Sequence, residues 1–352
     1  MDTDQRDALQ ARVREAMDSH TPLRIAGSGS KAFLGQPVRG EPLDVTGHRG
    51  IVSFEPTELV VTARAGTPLT ELEATLAEAN LCLPFEPPRF GPDATLGGTV
   101  ATGLAGPRRP WSGSVRDHVL GATLLTGKGD ILHFGGEVMK NVAGYDVARL
   151  MCGAFGTLGV LLDISLKVLP RPAARETRVL EMPAGEALET LQRLAREPLP
   201  LTGAVHVDGR LHLRFEGSEA GVAAGARHAG GDILDDDEAF WFAIREQMHP
   251  FFAGNMTLWR LSLPPATPLA AMDEPMLIDW GGAQRWLRSE REAQAIRAEA
   301  EATGGHATAF RHAPEGEIFH PLPPAALQLH LRLKEVFDPF GLLNYGRLYP
   351  DL

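Results

Sequence analysis

The chain has 352 residues, a length that suits about two domains. Its 38 glycines and 27 prolines follow no Gly-X-Y period, and 43% of the residues are hydrophobic, which excludes a collagen-like or disordered chain. The formal net charge of −11, without a basic run, disfavours nucleic-acid binding, because that binding depends on cations that neutralise phosphates. Glycine is common where a backbone approaches a ligand or takes a positive φ, so the positions of the glycines are informative about function.

Cysteine spacing and hydropathy indicate the cellular setting. Cys82 and Cys152 are far apart and form no CxxC spacing, so this chain alone cannot supply the four thiolates of an iron–sulfur cluster. We expect two reduced, buried thiols. The charged N-terminus differs from a signal peptide, and the lack of a run of about 18 apolar residues predicts no transmembrane segment. These features favour a cytoplasmic protein.

The first half of the chain predicts an α+β domain. An amphipathic helix over 4–18 precedes short strands at 23–26, 42–46, 51–54 and 59–65. Thr67 suits the N-cap of a helix over 68–80. The segment 85–121 reads as one long loop, which in a compact domain is usually functional. A hairpin, a helical turn and a last strand follow, at 122–125 with 131–134, 146–151 and 157–168.

The segment Pro170-Arg171-Pro172 predicts a domain boundary. Beyond it the pattern predicts a second α+β domain, with helices near 185–196, 219–229, 237–250 and 289–302 and strands near 176–181, 204–207, 211–215, 256–262 and 307–310. A final amphipathic helix and a Gly-rich end close the chain. The predicted organisation is an N-terminal domain over 1–172, a second domain over 173–330 and a C-terminal segment over 331–352.

The first glycine-rich segment, 27–31, directly follows a strand. With Ala32 it formally matches the Rossmann fingerprint, but Gly35 and Pro37 would end the required helix almost at once. A tight loop of consecutive backbone N–H groups and small hydroxyls remains, and such a loop can hold a pyrophosphate. A plain turn is the alternative interpretation.

Two more segments are rich in small residues. One runs over 92–103, where a backbone with few side chains lets a flat or phosphorylated ligand lie against it. The other combines 141–146 with 153–160, where glycines precede a buried strand. One such segment is weak evidence for a ligand, whereas three in one domain indicate a binding surface.

The motifs resemble a known flavoprotein superfamily. In order they read GSGSK, PTELVVxAxAGxP, ATLGGxxATG, GSxRDxVLG and GAFGTLGV, and this order is similar to the FAD-binding domain of the vanillyl-alcohol oxidase/p-cresol methylhydroxylase (PCMH) superfamily. More narrowly, KNVAGYDVARLMCGAFGTLGVLLDISLKVLPRP resembles the family of FAD-binding E subunits of bacterial glycolate oxidase. The resemblance covers the first 172 residues densely and returns at IDWGGAQRWL, GGHATAFR and FDPFGLLNYGRLY.

The resemblance implies an α+β fold, in which a PCMH-type FAD-binding domain of two α+β subdomains is followed by an α+β cap domain. It implies that the first loop holds the FAD pyrophosphate, that the second segment lies along the flavin and ribityl chain, and that the third faces the adenine half. By this resemblance the cofactor-binding residues are Gly27, Ser28, Gly29, Ser30, Lys31, Thr95, Gly97, Gly98, Thr102, Gly103, Arg116, Asp117, Gly156, Gly159, Val160, Asn344 and Arg347.

The resemblance also bears on how the flavin is attached. Covalent attachment in the superfamily uses a His or Cys near the loops, but the first loop has no His and Cys82 precedes the second segment. Non-covalent FAD is therefore expected. Tyr345 stands where the family commonly has proline, next to the tail residues that return to the flavin.

The side chains for substrate chemistry are not identified by the sequence. Oxidation of a 2-hydroxy acid needs an Arg for the carboxylate and a base for the hydroxyl proton. Related hydroxy-acid dehydrogenases carry a GHxGDGNxH-type motif in the second domain, which this chain lacks. Two weaker sets remain, namely a carboxylate site drawn from Arg285, Arg311 and Arg347, and a metal site from His306, His312 and His320, although no metal is expected.

By resemblance, the chain is an FAD-binding subunit of a heteromeric glycolate oxidase that oxidises glycolate to glyoxylate. Its expected partners are a sister FAD-binding subunit, an iron–sulfur subunit and a small 2-hydroxy acid, and the complex implies peripheral association with the inner membrane. A non-catalytic FAD-binding scaffold for the sister subunit is the first alternative. A stand-alone FAD-dependent 2-hydroxy-acid oxidase is the second.

Overall fold

The computed structural model describes residues 2–136, 146–269, 274–313, 316 and 318–352. Part of the third glycine segment, 141–145, therefore lies outside the described residues. The helices are α1 (Arg6–Ser19), α2 (Leu69–Glu78), α3 (Leu96–Thr102), α4 (Arg109–Ser112), α5 (Val115–His118), α6 (Val147–Leu150), α7 (Ala184–Leu194), α8 (Glu219–Ala229), α9 (Asp237–Arg245), α10 (Ala293–Ala302) and α11 (Pro324–Phe337). Within these ranges, no helix is both long and apolar enough to cross a membrane.

The strands give the chain its two main sheets. They are β1 (Leu23–Ala26), β2 (Glu41–Asp44), β3 (Ile51–Glu55), β4 (Val60–Arg64), β5 (Leu81–Cys82), β6 (Val119–Leu125), β7 (Ile131–Gly135), β8 (Val160–Lys167), β9 (Leu169–Pro170), β10 (Ala174–Glu181), β11 (Leu201–Val207), β12 (Arg210–Gly217), β13 (Asp232–Ile233), β14 (Leu258–Ser262), β15 (Met276–Asp279), β16 (Gln284–Arg288) and β17 (His306–Arg311). The chain divides into two compact units, one of Met1–Ala105, Gly113–Pro170 and Pro321–Leu352, and one of Gly106–Ser112 and Arg171–His320.

The first unit is built on an antiparallel sheet in the order β3-β4-β8-β6-β7, beside the parallel pair β1-β2. Helix α2 packs on this core through Leu69, Leu72 and Leu76, which are fully buried at helical spacing. The predicted helix therefore forms, but the predicted cap is wrong. Pro68 is the N-cap residue, and the Thr67 hydroxyl instead exchanges hydrogen bonds with the backbone of Gly50.

The prediction of one long loop from 85 to 121 is wrong, because this stretch contains α3, α4, α5 and the start of β6. Gly97 and Gly98 lie in the first turn of α3. Because glycine is a poor helix former, the sequence did not indicate a helix here. The Thr95 hydroxyl accepts a hydrogen bond from the Gly98 N–H, and Leu96 and Val100 are fully buried. Gly97 is required there, because a Cβ atom at this position would lie 2.8 Å from the Ala65 Cβ.

The second unit is built on an antiparallel sheet in the order β13-β10-β12-β11-β15-β16-β14-β17. Strands β15 and β16 were not predicted. The polar side chains of Gln284 and Arg285 are 4% and 2% exposed, so the sequence shows no alternation of apolar and polar residues. The turn between the strands contains Gly281 and Gly282 at positive φ.

The second unit includes a segment that comes from the middle of the first, Gly106–Ser112. The indole N–H of Trp280 donates to the Gly106 carbonyl at 3.0 Å, and Arg108 forms a buried ion pair with Glu216. Arginines 108 and 214 hold the pKa of the Glu216 carboxyl below its usual range against the effect of burial. These contacts fix the segment to the β-sheet of the second unit.

His212 on β12 makes the stability of the second unit depend on pH. It stacks on Phe240 with ring centroids 4.1 Å apart, and burial lowers its pKa from 6.5 to about 4. Between about pH 4 and pH 6.5 the unfolded chain binds a proton at His212 that the folded chain does not, so the free energy of unfolding falls as the pH falls. From pH 7.5 to pH 5 we expect the wild type to lose about 2 kcal/mol more than His212→Phe. Urea unfolding of both proteins at both pH values measures this difference, and equal losses would contradict the prediction.

Candidate functional site

A cavity opens in the first unit where β1, α3 and the start of β8 meet. Its volume is about 180 Å³, far more than the roughly 10–15 Å³ that one water needs, so it has room for a ligand and is not a packing defect. The lining residues are mostly small or aliphatic. They are Arg24, Ile25, Ala26, Gly27, Ser28, Gly29, Ser30, Lys31, Ala32, Val38, Val45, Ala65, Thr95, Gly97, Gly98, Ala101, Thr102, Met151, Ala154, Phe155, Gly156, Gly159, Val160, Leu161, Asn344 and Arg347.

The structure brings most of the sequence-predicted cofactor residues together around this cavity. The residues that line it are Gly27, Ser28, Gly29, Ser30, Lys31, Thr95, Gly97, Gly98, Thr102, Gly156, Gly159, Val160, Asn344 and Arg347. Three predicted residues are not in the lining. Gly103 ends α3 at a φ of 63°, and Arg116 and Asp117 are exposed on α5, where Asp117 forms a capping box with Ser114.

The loop after β1 presents unpaired backbone donors to the cavity. Among the described residues, none accepts a hydrogen bond from the backbone N–H groups of the segment 27–30. Gly29 takes a φ of 77°, which glycine adopts at little cost, and no helix follows the loop before β2. Consecutive unpaired N–H groups in such a turn form a concave anion-binding surface.

The charge of the lining is positive, although the chain as a whole is acidic. Arg24, Lys31 and Arg347 line the cavity, and no Asp or Glu does so among the described residues. Lys31 is 6% exposed, and its ammonium donates to the Arg89 carbonyl at 3.3 Å. Burial, together with the charge of Arg24, lowers the pKa of Arg347. A site of this charge favours an anionic ligand such as a pyrophosphate.

Helix α3 gives the cavity a wall of small residues. Gly98, Ala101 and Thr102 face it with very small side chains, and the Thr102 hydroxyl donates to the Gly98 carbonyl at 2.8 Å. A Cβ atom on Gly98 would meet only the Thr95 hydroxyl, at 3.2 Å. The main chain of α3 is therefore accessible to a ligand that lies along it.

The C-terminal segment closes the other side of the cavity. Asn344 accepts a hydrogen bond from the Ile25 N–H at 2.8 Å and donates to the Phe155 carbonyl at 2.7 Å. Its neighbour Tyr345 is 46% exposed. The guanidinium of Arg347 donates to the carbonyls of Ala32, Leu34 and Gln36, so it fixes the chain after the glycine loop.

Behind Asn344 lies a buried ion pair that positions this segment. The Lys334 ammonium donates to the Asp338 carboxylate and the Thr157 carbonyl, both at 2.7 Å, and to the Leu343 carbonyl at 2.9 Å. Asp338 also accepts from the backbone N–H groups of Leu342 and Leu343. Burial lowers the pKa of Lys334, while Asp338 opposes this effect.

Several lining residues were missed by sequence reasoning. Ala154 and Phe155 stand inside a quoted motif and Ala101 faces the same side of α3 as Gly98, so motif position or helical spacing could have found them. Val38 and Val45 carried no such signal. They reach the cavity because of the parallel pairing of β1 with β2.

The arginines and histidines that the sequence offered for carboxylate or metal binding in the second unit contact other groups of the protein. Arg285 donates to the backbone carbonyls of Thr267 and Pro268, and Arg311 donates to Gln247 at 2.8 Å. The rings of His306 and His320 are 6.2 Å apart, and His320 contacts Glu301 at 2.9 Å. Throughout the described ranges, no group of three His, Cys, Asp or Glu side chains is arranged to hold a metal ion.

The lining fits a dinucleotide cofactor. The unpaired N–H groups of the first loop and the three cations suit a pyrophosphate, whereas the apolar, small-residue wall of α3 suits a flat ring and its chain. Ala26 and Val160 extend the apolar part of the lining. FAD combines these anionic and flat parts in one molecule.

Comparison with known proteins supports the same ligand. Residues 3–135 match a family described as FAD binding domain. Glycolate oxidase subunit GlcE of Escherichia coli (strain K12) is 51% identical over 349 residues, which covers 99% of each chain. Glycolate oxidase subunit GlcD of Bacillus subtilis (strain 168) is 29% identical over 162 residues, which covers 46% of this chain and 34% of that relative.

A solved structure of alkyldihydroxyacetonephosphate synthase has a similar fold. It superimposes with a TM-score of 0.67 at 16% identity and covers 96% of this chain and 74% of that one. The predicted α+β fold with a PCMH-type FAD-binding domain is confirmed, as is the FAD cofactor. The chain belongs to the family of glycolate oxidase subunit GlcE.

Proposed function

We propose that this chain is the FAD-holding subunit of a heteromeric glycolate oxidase, in which it oxidises glycolate to glyoxylate. One observation carries the proposal. The cavity of the first unit combines unpaired backbone donors, three cations and a small-residue wall. The similarity to subunit GlcE over 99% of both chains supports the assignment to a complex with other subunits.

Non-covalent attachment of FAD is part of the proposal. Among the described residues that line the cavity, none is His or Cys, the residue types used for covalent attachment in the superfamily. Burial raises the pKa of the nearby Cys152 to about 12, so its thiol carries a proton at neutral pH and is a poor nucleophile. The predicted cofactor residues then hold FAD through backbone donors, charge and shape.

Bound FAD would accept the two electrons of the oxidation. The residues of this chain would orient it, through the loop 27–31, and would hold its pyrophosphate against Lys31 and Arg347. The chain has two cysteines, too few for a four-thiolate cluster, so we propose that the electrons pass to an iron–sulfur partner chain. A sister FAD-binding subunit and peripheral attachment to the inner membrane complete the proposed assembly.

A second function is favoured by one feature of the sequence. The chain lacks the GHxGDGNxH-type motif of related hydroxy-acid dehydrogenases. The alternative is therefore a non-catalytic FAD-binding scaffold that supports a catalytic sister subunit.

Anaerobic reduction by glycolate separates the two functions. The FAD-loaded chain alone is mixed with glycolate without oxygen, and the visible flavin absorbance is followed. We expect bleaching with glycolate and none with acetate, which lacks the hydroxyl group. Bleaching that requires added sister subunit would contradict catalysis by this chain and support the scaffold.

A further inference from the structure

Two side chains of the C-terminal segment hold both ends of the glycine loop 27–31. Before the loop, the Asn344 side chain accepts a hydrogen bond from the Ile25 N–H at 2.8 Å. After the loop, the Arg347 guanidinium donates to three backbone carbonyls of the segment 32–36. We call Asn344 and Arg347 the C-terminal clamp. The loop and the clamp both belong to the first unit.

The segment after the loop depends on the clamp for its order. No helix or strand forms over 27–40, a range that the structure describes completely. Among the described residues, no group other than the Arg347 guanidinium donates to the carbonyls of Ala32, Leu34 and Gln36. The Gln36 N–H donates in return to the Arg347 carbonyl at 2.8 Å. Loss of the guanidinium would therefore leave three carbonyls without a protein donor.

Gly35 allows Arg347 to approach this segment closely. It has a φ of 93°, which favours glycine. A Cβ atom at this position would lie 2.8 Å from the Arg347 Nε atom and 3.1 Å from the Arg347 carbonyl oxygen. A side chain on residue 35 would therefore push the clamp away. Gly35 does not line the cavity, so this effect is separate from contact with a ligand.

The glycine loop can bind an anion only while its N–H groups converge. The N–H groups of 27–30 have no acceptor among the described residues, so no hydrogen bond of their own fixes their direction. The loop ends in a turn in which the Ala32 N–H donates to the Gly29 carbonyl at 2.9 Å. If the segment 32–36 were free, this turn could relax, and anion binding would then include the free-energy cost of ordering the loop.

We infer that the C-terminal clamp positions the glycine loop 27–31 for the pyrophosphate of FAD. Arg347 then acts through the backbone of 32–36 as well as through its charge, and Asn344 acts through the N–H of Ile25. Both are positioning residues in this role. The inference rests on the proposed function for the identity of the ligand.

Gly35→Ala separates the clamp from the charge of the cavity. It keeps all three cations of the lining and adds one methyl group outside the lining. We expect its FAD affinity, measured by fluorescence titration of the full-length apoprotein, to fall about 10-fold because the loop must be ordered on binding. Arg347→Met should lower the affinity about 10- to 100-fold, because it removes the clamp and a cation together.

Amide hydrogen exchange of the apoprotein shows directly whether the loop has loosened. The amides of Ala32, Leu34 and Gln36 each donate to a backbone carbonyl, and we expect both variants to exchange them about 10-fold faster or more. The amides of α2 should keep wild-type rates, because that helix packs on the core of the same unit. Faster exchange in α2 as well would mark a variant as unfolded, and the other variant then decides.

Gly209→Ala is the matched control. Gly209 has a φ of 74° in the turn between β11 and β12 of the second unit, and a Cβ atom there would meet nothing within 4 Å. The substitution strains the backbone in a similar way without touching the clamp, so FAD affinity should not change. FAD affinity in Gly35→Ala equal to that in Gly209→Ala, or wild-type exchange at 32–36 in the folded clamp variants, would overturn the inference.

The outcome is separable from that of the proposed function. FAD binding that weakens in Gly35→Ala, together with no bleaching by glycolate, would leave the clamp and remove catalysis by this chain. Bleaching by glycolate with FAD affinity unchanged in Gly35→Ala would leave catalysis and overturn the clamp.

Discussion

Gly98→Val is expected to abolish retention of FAD while leaving the fold intact. Gly98 lines the cavity on α3, and a Cβ atom there would meet only the Thr95 hydroxyl, at 3.2 Å. The branched side chain would therefore extend into the space that the proposed flavin occupies. We expect FAD affinity to fall at least about 100-fold, the equivalent of about 3 kcal/mol, because a packed ligand cannot share space with added carbons. Fluorescence titration of the apoprotein with FAD measures this change.

Gly185→Val is the matched control for this substitution. Gly185 also lies in a helix, α7, and a Cβ atom there would meet nothing within 4 Å. Both substitutions should change the stability of the apoprotein by no more than about 1 kcal/mol, since both exchange glycine for a β-branched residue in a helix. FAD affinity in Gly98→Val equal to that in Gly185→Val would contradict the placement of the cofactor against α3.

Lys334→Met is expected to cause the largest loss of stability. The change leaves the carboxylate of Asp338, 1% exposed, without its cation, and leaves the carbonyls of Thr157 and Leu343 without a donor. Breaking a buried ion pair by removing one partner costs about 3–5 kcal/mol. We also expect weaker FAD binding, because Asn344 follows the segment that this ammonium holds. Urea unfolding gives the free energy, and FAD titration gives the affinity.

Two further variants isolate the cause of the loss. Lys128→Met removes the same charge from an exposed turn and should change stability by less than about 0.5 kcal/mol. The double variant Lys334→Met/Asp338→Asn should lose less than the sum of its single substitutions, because the unpaired carboxylate is then absent. Strict additivity would show that the ion pair is not the source of the stability.

The predicted part of the cavity consists mainly of backbone. Gly27, Ser28 and Gly98 could be identified because a glycine or small residue in a fixed motif marks where the main chain approaches a ligand. This signal depends only on the local sequence, so it can be recognised without knowledge of the tertiary structure. Arg116 and Asp117 belonged to a motif as well, yet in the structure they lie on α5 outside the lining, where Asp117 closes a capping box.

The parts that were not predicted depend on distant segments. The hydrogen bond between Trp280 and Gly106 forms only because Gly106–Ser112 joins the second unit, which no pattern within either segment indicates. Strands β15 and β16 were hidden because Arg285 is buried by contacts with the backbone at 267–268, so a polar residue stands at an interior position. Local propensity cannot reveal side chains that are satisfied by tertiary contacts.

Flavin retention by the purified chain tests the central claim most directly. The chain is isolated without its partners, its visible absorbance is recorded, and the protein is then denatured and filtered to separate free from attached flavin. We predict about one FAD per chain, all of it released into the filtrate. A chain that shows no flavin absorbance even after FAD is added would contradict the account.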